Sequence, residues 1–451
     1  MFILHRPIWS TIILTATLLV VGAANLGYCA SLDVHHDKDQ STSSVLNAET
    51  PLSLLEAVNR ALLDNPNLTE MQARAEAFAA IPSQAGTLSD PVLSFNALNL
   101  PTDTFNLSQE PMTQTQFGIN QAIPFPGKLA LREEAAQYEA DAAAKDVDET
   151  QFRLLRDVKT TWWSVFNLDK AQAIVLRNQE LLRQFIQIAA TKYSVGMGLQ
   201  QDVLLAQLEL SKLLDLELRL KGARRSEAAR LNALLAEPPD QPVQLPQEVS
   251  LLLPTVKDEQ AFYQLADQYR PLLATQQSKI QASRSRVELA KKDYYPDFNV
   301  GAAYSIRSGE DIGRGSRADF ASFKLSMNLP IFTGRKQSQA VSQRRSEMLQ
   351  QTFRLHDLRN FVQADISQAL ADYQRARDRF ELFKTGILPQ VRQTVASMLA
   401  GYQVNKVDFL NLVSAQVTQY NYEISYWQML SEANQALARI VAAVGVENIN
   451  E

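Results

Sequence analysis

The apolar and polar positions of this chain follow long helical stretches. The longest spans residues 128–195, which contain 68 residues without a glycine or proline and are rich in Ala, Leu, Glu, Gln and Arg. This pattern predicts one continuous helix of roughly 100 Å, at 1.5 Å per residue. Helices in globular domains average only about 11–12 residues, so this one must belong to a coiled coil, a bundle or a helical tube. Gly196-Met197-Gly198 then predicts a turn, and residues 199–236 return as a second helix.

A second long helical hairpin is predicted in the other half of the chain. It begins at Arg335, has a predicted local break at 386–389, turns near Asn405 and returns over 408–444. Each long hairpin is preceded by a shorter helix and two strands. The shorter helices are predicted at 52–80 and at 258–291.

Apolar and polar side chains alternate with period two in segments 297–306 and 320–329, which predicts strands. The first half has weaker counterparts around Phe95 and Phe117. Strands of this length, about 9–10 residues, can cross a bilayer when tilted. The alternative is a soluble sheet with one wet face. The apolar face of the second strand pair comprises Phe298, Val300, Ala302, Tyr304 and Ile306, then Ala321, Phe323, Leu325, Met327 and Leu329.

The same motifs occur twice, at offsets of 205–209 residues, which indicates an internal duplication. Pro91 returns as Pro296, and Tyr193 returns as Tyr402. An ordered series of such matches is hard to obtain by chance. We therefore predict two repeats, 51–245 and 246–451, joined within a proline-rich stretch.

The composition excludes several classes of protein. Lys plus Arg total 44 and Asp plus Glu total 49, a net charge of −5, which disfavours a nucleic-acid binder. The single cysteine, Cys29, rules out a disulfide framework and a cysteine-based metal site. Neither a phosphate-binding glycine-rich loop nor a hydrolase motif is present, so we expect no enzyme activity and no cofactor.

The N-terminus predicts export. Residues 1–30 have the charge, apolar core and small-residue end of a signal peptide, followed by a flexible polar lead at 31–50. An N-terminal anchor helix and lipid attachment at Cys29 are the alternatives. Residues 35–39, His-His-Asp-Lys-Asp, could bind a divalent metal, but their spacing is not that of a fixed metal site and favours a polar lead without a metal.

Four strands per chain are too few to close a membrane barrel, because the smallest barrels have about eight. Unpaired strand edges in lipid would be very costly. If these strands span a membrane, several chains must pool them: two chains give eight strands and three give twelve. Because about eight strands leave an interior filled by side chains, a conduit favours three or more chains.

These residues together resemble the TolC-like outer membrane efflux factor family. The matching pieces are Leu54-Leu55-Glu56-Ala57 to Asn65-Pro66, Asp90-Pro91, the stretch 121–128, the tyrosine-containing hairpins and the duplication, over residues 51–445. The resemblance implies an α+β membrane protein whose long helical hairpins form a trimeric helical barrel. Each chain of the homotrimer would contribute four strands to a shared twelve-stranded outer membrane β-barrel.

The resemblance also implies a function. Such proteins are passive exit ducts, embedded in outer membrane lipid, that dock a periplasmic adaptor and an inner-membrane pump and bind no nucleic acid. The Pro-Phe-Pro-Gly-Lys stretch at 124–128 is similar to the heavy-metal cation branch, so the cargo is either metal cations or small toxic molecules. There are two alternatives. A periplasmic adaptor would have one helical hairpin and biotinyl-like β segments, and an exported structural coiled coil would not need paired alternating strands.

The hairpin tips are the implied functional site, since in the family they close the periplasmic mouth and meet the adaptor. The family's tyrosine is kept as Tyr402, but Val407 stands at the arginine position, and Asn411 and Ser414 stand at the acidic positions. Our hypothesis is that Asp408 supplies a charge ring instead; the alternative is that it caps the returning helix. The implied gate residues are Tyr193, Asp202, Tyr402, Val407, Asp408, Asn411 and Ser414, and the implied adaptor-docking turns comprise Gly196, Met197, Gly198, Asn405 and Lys406.

Overall fold

A computed structural model describes residues 51–311, 313, 315–447 and 449. The predicted signal peptide, polar lead, Cys29 and possible metal-binding stretch 35–39 lie outside these residues. The first half contains α1 (Leu54–Asp64), α2 (Pro66–Ala79), α3 (Ile81–Gly86), β1 (Val92–Leu98), β2 (Gln114–Ile123), α4 (Lys128–Ser194) and α5 (Gln200–Leu234). The second half contains α6 (Glu259–Tyr269), α7 (Pro271–Lys292), β3 (Phe298–Ile306), β4 (Glu310–Asp311), β5 (Gly315–Ser316), β6 (Phe320–Met327), α8 (Gln337–Leu382), a π-helical turn (Phe383–Ile387), α9 (Leu388–Gln403) and α10 (Phe409–Val444).

The long helix is confirmed, since α4 runs unbroken for 67 residues. The prediction of one continuous helix at 52–80 was wrong. The chain breaks at Asn65-Pro66 because proline lacks an N–H and disfavours helical backbone in the residue before it. Asn65 instead caps α2 by accepting hydrogen bonds from the N–H groups of Asn67 and Leu68. The predicted helix at 258–291 breaks in the same way at Arg270-Pro271.

The predicted break at 386–389 also needs correction. The backbone stays helical there and widens into the π turn Phe383–Ile387, directly before Pro389 in the first turn of α9. One wider turn lets the helix continue despite the hydrogen bond that proline cannot donate. Among the described residues, no helix is both long enough and apolar enough to span a bilayer.

The duplication is visible in matched long-range hydrogen bonds. In the first repeat, Asn65 Nδ2 donates to the Leu234 carbonyl at 2.9 Å, where α5 ends. In the second repeat, the equivalent Arg270 donates from Nη1 to the Ala443 carbonyl at 3.0 Å, near the end of α10. Each repeat thus joins its helix break to the end of its returning helix, although the exact boundary near residue 245 stays a prediction.

The four long strands form one antiparallel sheet in the order β1-β2-β3-β6. Most of the large apolar side chains share one face, as predicted, because Phe95 lies opposite Phe117, Phe117 opposite Tyr304, and Ala302 opposite Phe323. Val92 and Phe320 lie on the other face. This face is open to the surroundings: Phe323 is 88% exposed. On the other face, Gly301 and Ser305 are buried. The strands β1 and β6 are the free edges of the sheet within the chain.

The loops at one end of the sheet pack on each other. The predicted loop 307–318 contains the small hairpin β4–β5. Arg317 Nη1 donates to the carbonyls of Ser108 and Glu110, each at 3.1 Å, and Arg307 Nη1 donates to the Pro111 carbonyl at 3.3 Å. The two loops therefore form one layer at the same end of the sheet.

An ion pair between a buried lysine and two partly exposed carboxylates fixes the other end of the sheet to the long helix. Lys128, only 3% exposed, starts α4 and places Nζ 2.8 Å from Asp293 Oδ1 and 2.9 Å from Asp297 Oδ1. Asp297 also accepts a hydrogen bond from the Phe125 N–H at 2.8 Å. Burial favours the neutral acid, but the Phe125 and Lys128 hydrogen bonds outweigh it and lower the pKa of Asp297.

This pair predicts acid-sensitive stability. Because the pKa of Asp297 is lower in the folded chain than its unfolded value of 3.8, its contribution is present above that value and is lost as pH falls through the folded pKa. Asp297→Asn should flatten the acid side of the urea-midpoint profile of detergent-solubilised protein, followed by tryptophan fluorescence. The exposed Asp90→Asn is the control. Identical acid profiles for wild type and Asp297→Asn would refute this role.

Candidate functional site at the hairpin tips

The two hairpin turns have the same backbone structure. Gly196 and Asn405, which are 209 residues apart, both adopt positive φ values, of 73° and 59°. In the first turn, the Met197 N–H donates to the Lys192 carbonyl at 2.8 Å; in the second, the Lys406 N–H donates to the Gly401 carbonyl at 2.8 Å. A left-handed residue with this six-to-one bond is the Schellman motif that ends helices. The predicted turns are therefore in place.

Each turn brings two residues close together, and one of the two is a glycine. The glycine follows the turn in the first hairpin and precedes it in the second. In the first turn, a Cβ on Gly198 would lie 2.9 Å from Lys192 Cβ. In the second, a Cβ on Gly401 would lie 2.6 Å from Val407 Cγ2. Gly401 aligns with Lys192 and Val407 aligns with Gly198. The duplicated turn therefore accommodates one larger side chain per hairpin, and only the first hairpin carries a cation at this pair.

Lys192 links the two hairpins of the chain. Its Nζ donates to the Tyr402 carbonyl at 2.7 Å and to Asn405 Oδ1 at 2.6 Å. The same Nζ lies 4.1 Å from the centroid of the Tyr402 ring, so a cation–π contact adds to the two hydrogen bonds. We call Lys192, Tyr402 and Asn405 the tip latch. Sequence reasoning missed Lys192 because it searched for the family's arginine at the position of Val407.

Tyr402 is the buried member of the tip latch. It is 6% exposed and packs on Phe409, with ring centroids 5.2 Å apart. Burial raises the pKa of its phenol, and the negative charge of Asp202 raises it further. The phenol oxygen has no hydrogen-bond partner among the described residues of the chain. The equivalent Tyr193 is 50% exposed, so the duplication does not extend to the environment of the two tyrosines.

The other predicted gate residues lie on an exposed face of α10. Asp408, Asn411 and Ser414 are all exposed, and their spacing of three residues places them along one side of the helix. Asp408 occupies the N-cap position with extended backbone, yet its side chain makes no capping hydrogen bond. Asp408 is therefore the N-cap residue, as the capping alternative predicted, but the capping hydrogen bond is absent. Val407 and Asp202 are half-buried.

The tips also expose apolar side chains, most of which were not predicted from the sequence. Apolar groups at the end of a charged and polar helical pair are typical of a protein contact surface. The predicted docking residue Met197 is one of them, and Lys406 is exposed beside them. The exposed apolar side chains at the two tips are Val195, Met197, Leu199, Val404 and Leu410.

Among the described residues, no group of three or more His, Cys, Asp or Glu side chains is arranged to hold a metal ion. The tips contain the tip latch between the two hairpins, an exposed carboxylate and a rim of exposed apolar side chains. These features can hold two helical pairs together or release them. They provide no nucleophile paired with a base, and so no constellation for covalent chemistry.

Comparison with known proteins gives a consistent result. The family model described as outer membrane efflux protein matches residues 57–237 and 262–446. The cobalt-zinc-cadmium resistance protein CzcC of Cupriavidus metallidurans is 22% identical over 404 residues, covering 88% of this chain and 91% of the relative. Protein CyaE of Bordetella pertussis is 24% identical over 338 residues, covering 73% of this chain and 71% of the relative.

Solved structures share the fold. The outer-membrane channel OprN aligns with a TM-score of 0.74 at 18% identity, covering 87% of this chain and 89% of that one. The outer membrane protein VceC from Vibrio cholerae aligns with a TM-score of 0.73 at 16% identity, covering 87% and 96% of the two chains. CusC aligns with a TM-score of 0.72 at 15% identity, covering 88% and 93%.

Proposed function

This chain belongs to the outer membrane efflux protein family, and from that membership we propose that three copies of it form a passive exit duct across the bacterial outer membrane. The protein is an outer membrane protein and not an enzyme. The duct would receive solute from an inner-membrane pump through a periplasmic adaptor. The parts of this proposal that go beyond family membership are the number of copies, the partners and the cargo.

The sheet carries the proposal. It has an exposed face that is mainly apolar, with Thr115 and Gln121 among its side chains, and two free edges, β1 and β6. In lipid, an edge whose N–H and C=O groups lack partners costs several kcal/mol per group, so β6 of one copy must pair with β1 of the next. Two copies would give about eight strands and a filled interior, whereas three give twelve and leave a passage. The opposite face, with its small and polar side chains, would then line the bore.

The tips support a closable entrance at the far end of α4. With the tip latch formed, Lys192 holds the two hairpins of one copy together. The exposed apolar rim around Met197 would be the surface on which the adaptor docks. Docking that separates the hairpins would break the tip latch and widen the mouth.

The experiment that tests this function is fractionation of the bacterial envelope, followed by electrophoresis without heating. The proposal predicts a band of three copies in the outer membrane fraction that collapses to a monomer when boiled. A soluble periplasmic monomer or dimer would contradict it and favour an adaptor or a structural coiled coil.

Asp408 is proposed as the source of negative charge at the mouth. Three copies would place three carboxylates around the axis, where they attract divalent cations. Asp408→Asn should raise the concentration of divalent cation that blocks current in planar bilayers by about tenfold, equivalent to about 1.4 kcal/mol. Ser414→Ala, on the same exposed face, is the matched uncharged control. Equal block of wild type and Asp408→Asn would refute the charge ring.

The proposed cargo is metal cations or small toxic molecules selected by the pump. The relative from Cupriavidus metallidurans is named for resistance to cobalt, zinc and cadmium, which supports the metal alternative. Comparing growth of a deletion strain with its parent in these metals, then in dyes and antibiotics, distinguishes the two. Unchanged growth in every one would contradict both.

A further inference from the structure

One charge stands alone in the sheet. Among all residues of β1, β2, β3 and β6, the only charged side chain is Lys324, in the edge strand β6. It is exposed, and no carboxylate of the described chain lies within 4.0 Å of its ammonium group. By contrast, Lys128 and Arg317, at the two ends of the sheet, are paired with Asp297 and Asp311.

The strand register fixes the face on which Lys324 lies. Lys324 is opposite Gly301, Gly301 is opposite Asn120, and Asn120 is opposite Val92. Its neighbours along β6, Phe323 and Leu325, belong to the apolar face. Side chains alternate along a strand, so Lys324 belongs to the polar face.

The surroundings of Lys324 on that face are small and uncharged. A Cβ on Gly301 would overlap the carboxamide oxygen of Asn120, so the Asn120 side chain covers the glycine beside Lys324. Lys324 therefore extends further from the sheet than its neighbours and carries the only full charge there. The nearby members of the polar face are Ser94, Gly118, Ala303, Ser322 and Ser326.

We propose that the Lys324 ammonium groups of three copies form a ring of positive charge inside the bore and give it a preference for anions over cations. This proposal rests on the three-copy duct proposed above, and it predicts the sign of the charge of the solutes that pass most easily. Anionic and neutral small molecules would pass the ring freely. A free cation would pass it only against repulsion, driven by the concentration that the pump builds up behind it.

Screening limits the size of the effect. The Debye length is about 8 Å at physiological ionic strength, so solute near the centre of a wide bore feels the ring only weakly. The preference should therefore be modest in concentrated salt and stronger in dilute salt. This dependence on salt separates a charge effect from a change in bore width, which would alter conductance at every salt concentration.

Ion selectivity in planar bilayers tests the proposal. All proteins carry Asp408→Asn, because that carboxylate at the far end would favour cations. In a KCl gradient near 0.1 M, Lys324→Gln should lower the chloride-to-potassium permeability ratio by about twofold, and Lys324→Glu should lower it further. Lys257→Gln, in the linker between the repeats, removes the same charge away from the sheet and should leave the ratio unchanged.

The outcomes distinguish this proposal from the one on which it rests. Conducting channels with the same ratio in Lys324→Gln and Lys324→Glu as in their parent would overturn the charge ring and leave the duct standing. Absence of any channel in the parent protein would overturn the duct itself. If the variants fail to assemble, the parent protein alone tests the ring. Its chloride-to-potassium permeability ratio must then rise as KCl is diluted, and a constant ratio would refute the ring.

Discussion

Replacing Lys192 with methionine is expected to raise the ratio of open to closed ducts about tenfold. The change removes two hydrogen bonds from an ammonium group and one cation–π contact across the hairpins. A half-exposed site of this kind contributes about 1–2 kcal/mol, and 1.4 kcal/mol is a factor of ten. Single-channel recordings in planar bilayers measure the open fraction directly, and sensitivity of cells to large antibiotics reports it in the envelope.

Two matched variants interpret that result. Lys212→Met removes a lysine whose ammonium pairs with Glu209 within α5, so it should leave gating unchanged. Tyr402→Phe keeps the ring and the backbone carbonyl that Lys192 contacts and removes only the phenol oxygen, which has no partner in the described chain. It should therefore remain closed. Wild-type open fraction in Lys192→Met would refute the tip latch, and opening by Tyr402→Phe would show that the phenol bonds a neighbouring copy.

Phe323→Arg should abolish stable insertion of the duct into the outer membrane. Phe323 lies on the apolar face and is 88% exposed, so an arginine there would meet lipid. Arginine at the midplane of a lipid-facing strand costs about 2–4 kcal/mol, and the cost is paid in every copy. The expected result is loss of the heat-sensitive multimer band from the outer membrane fraction.

The neighbouring residue is the control for that prediction. Ser322→Arg places the same side chain one position along β6, on the polar face that would line the water-filled bore. It should still give the multimer, with altered conductance. Equal loss in both variants would mean that the face of the strand is irrelevant, which contradicts a lipid-facing sheet.

The secondary structure could be predicted closely where one signal dominates. A stretch without glycine or proline gave α4 almost to the residue, and alternation gave β3 and β6. The effect of proline was underestimated at two positions and overestimated at a third. Pro66 and Pro271 each split a predicted helix, whereas the predicted break before Pro389 is a π turn in a continuous helix, because one wider turn accommodates the hydrogen bond that proline cannot donate.

The site was predictable only in its backbone. The repeated turn at Gly196 and Asn405 was found because it is encoded locally and occurs twice. Lys192 could not be found that way, because its partners Tyr402 and Asn405 lie more than 200 positions further along the chain and meet it only when the hairpins pack. An alignment of the two repeats does show a lysine opposite Gly401, and that asymmetry was the available signal.

The most direct test of the three-copy duct is an image of the purified protein in a lipid nanodisc by electron microscopy. We expect three copies around one axis, with β6 of each copy hydrogen-bonded to β1 of the next in a closed barrel of twelve strands, and the face that contains Phe323 against lipid. A single copy with β1 and β6 unpaired, or a sheet whose apolar face is buried inside one chain, would contradict it.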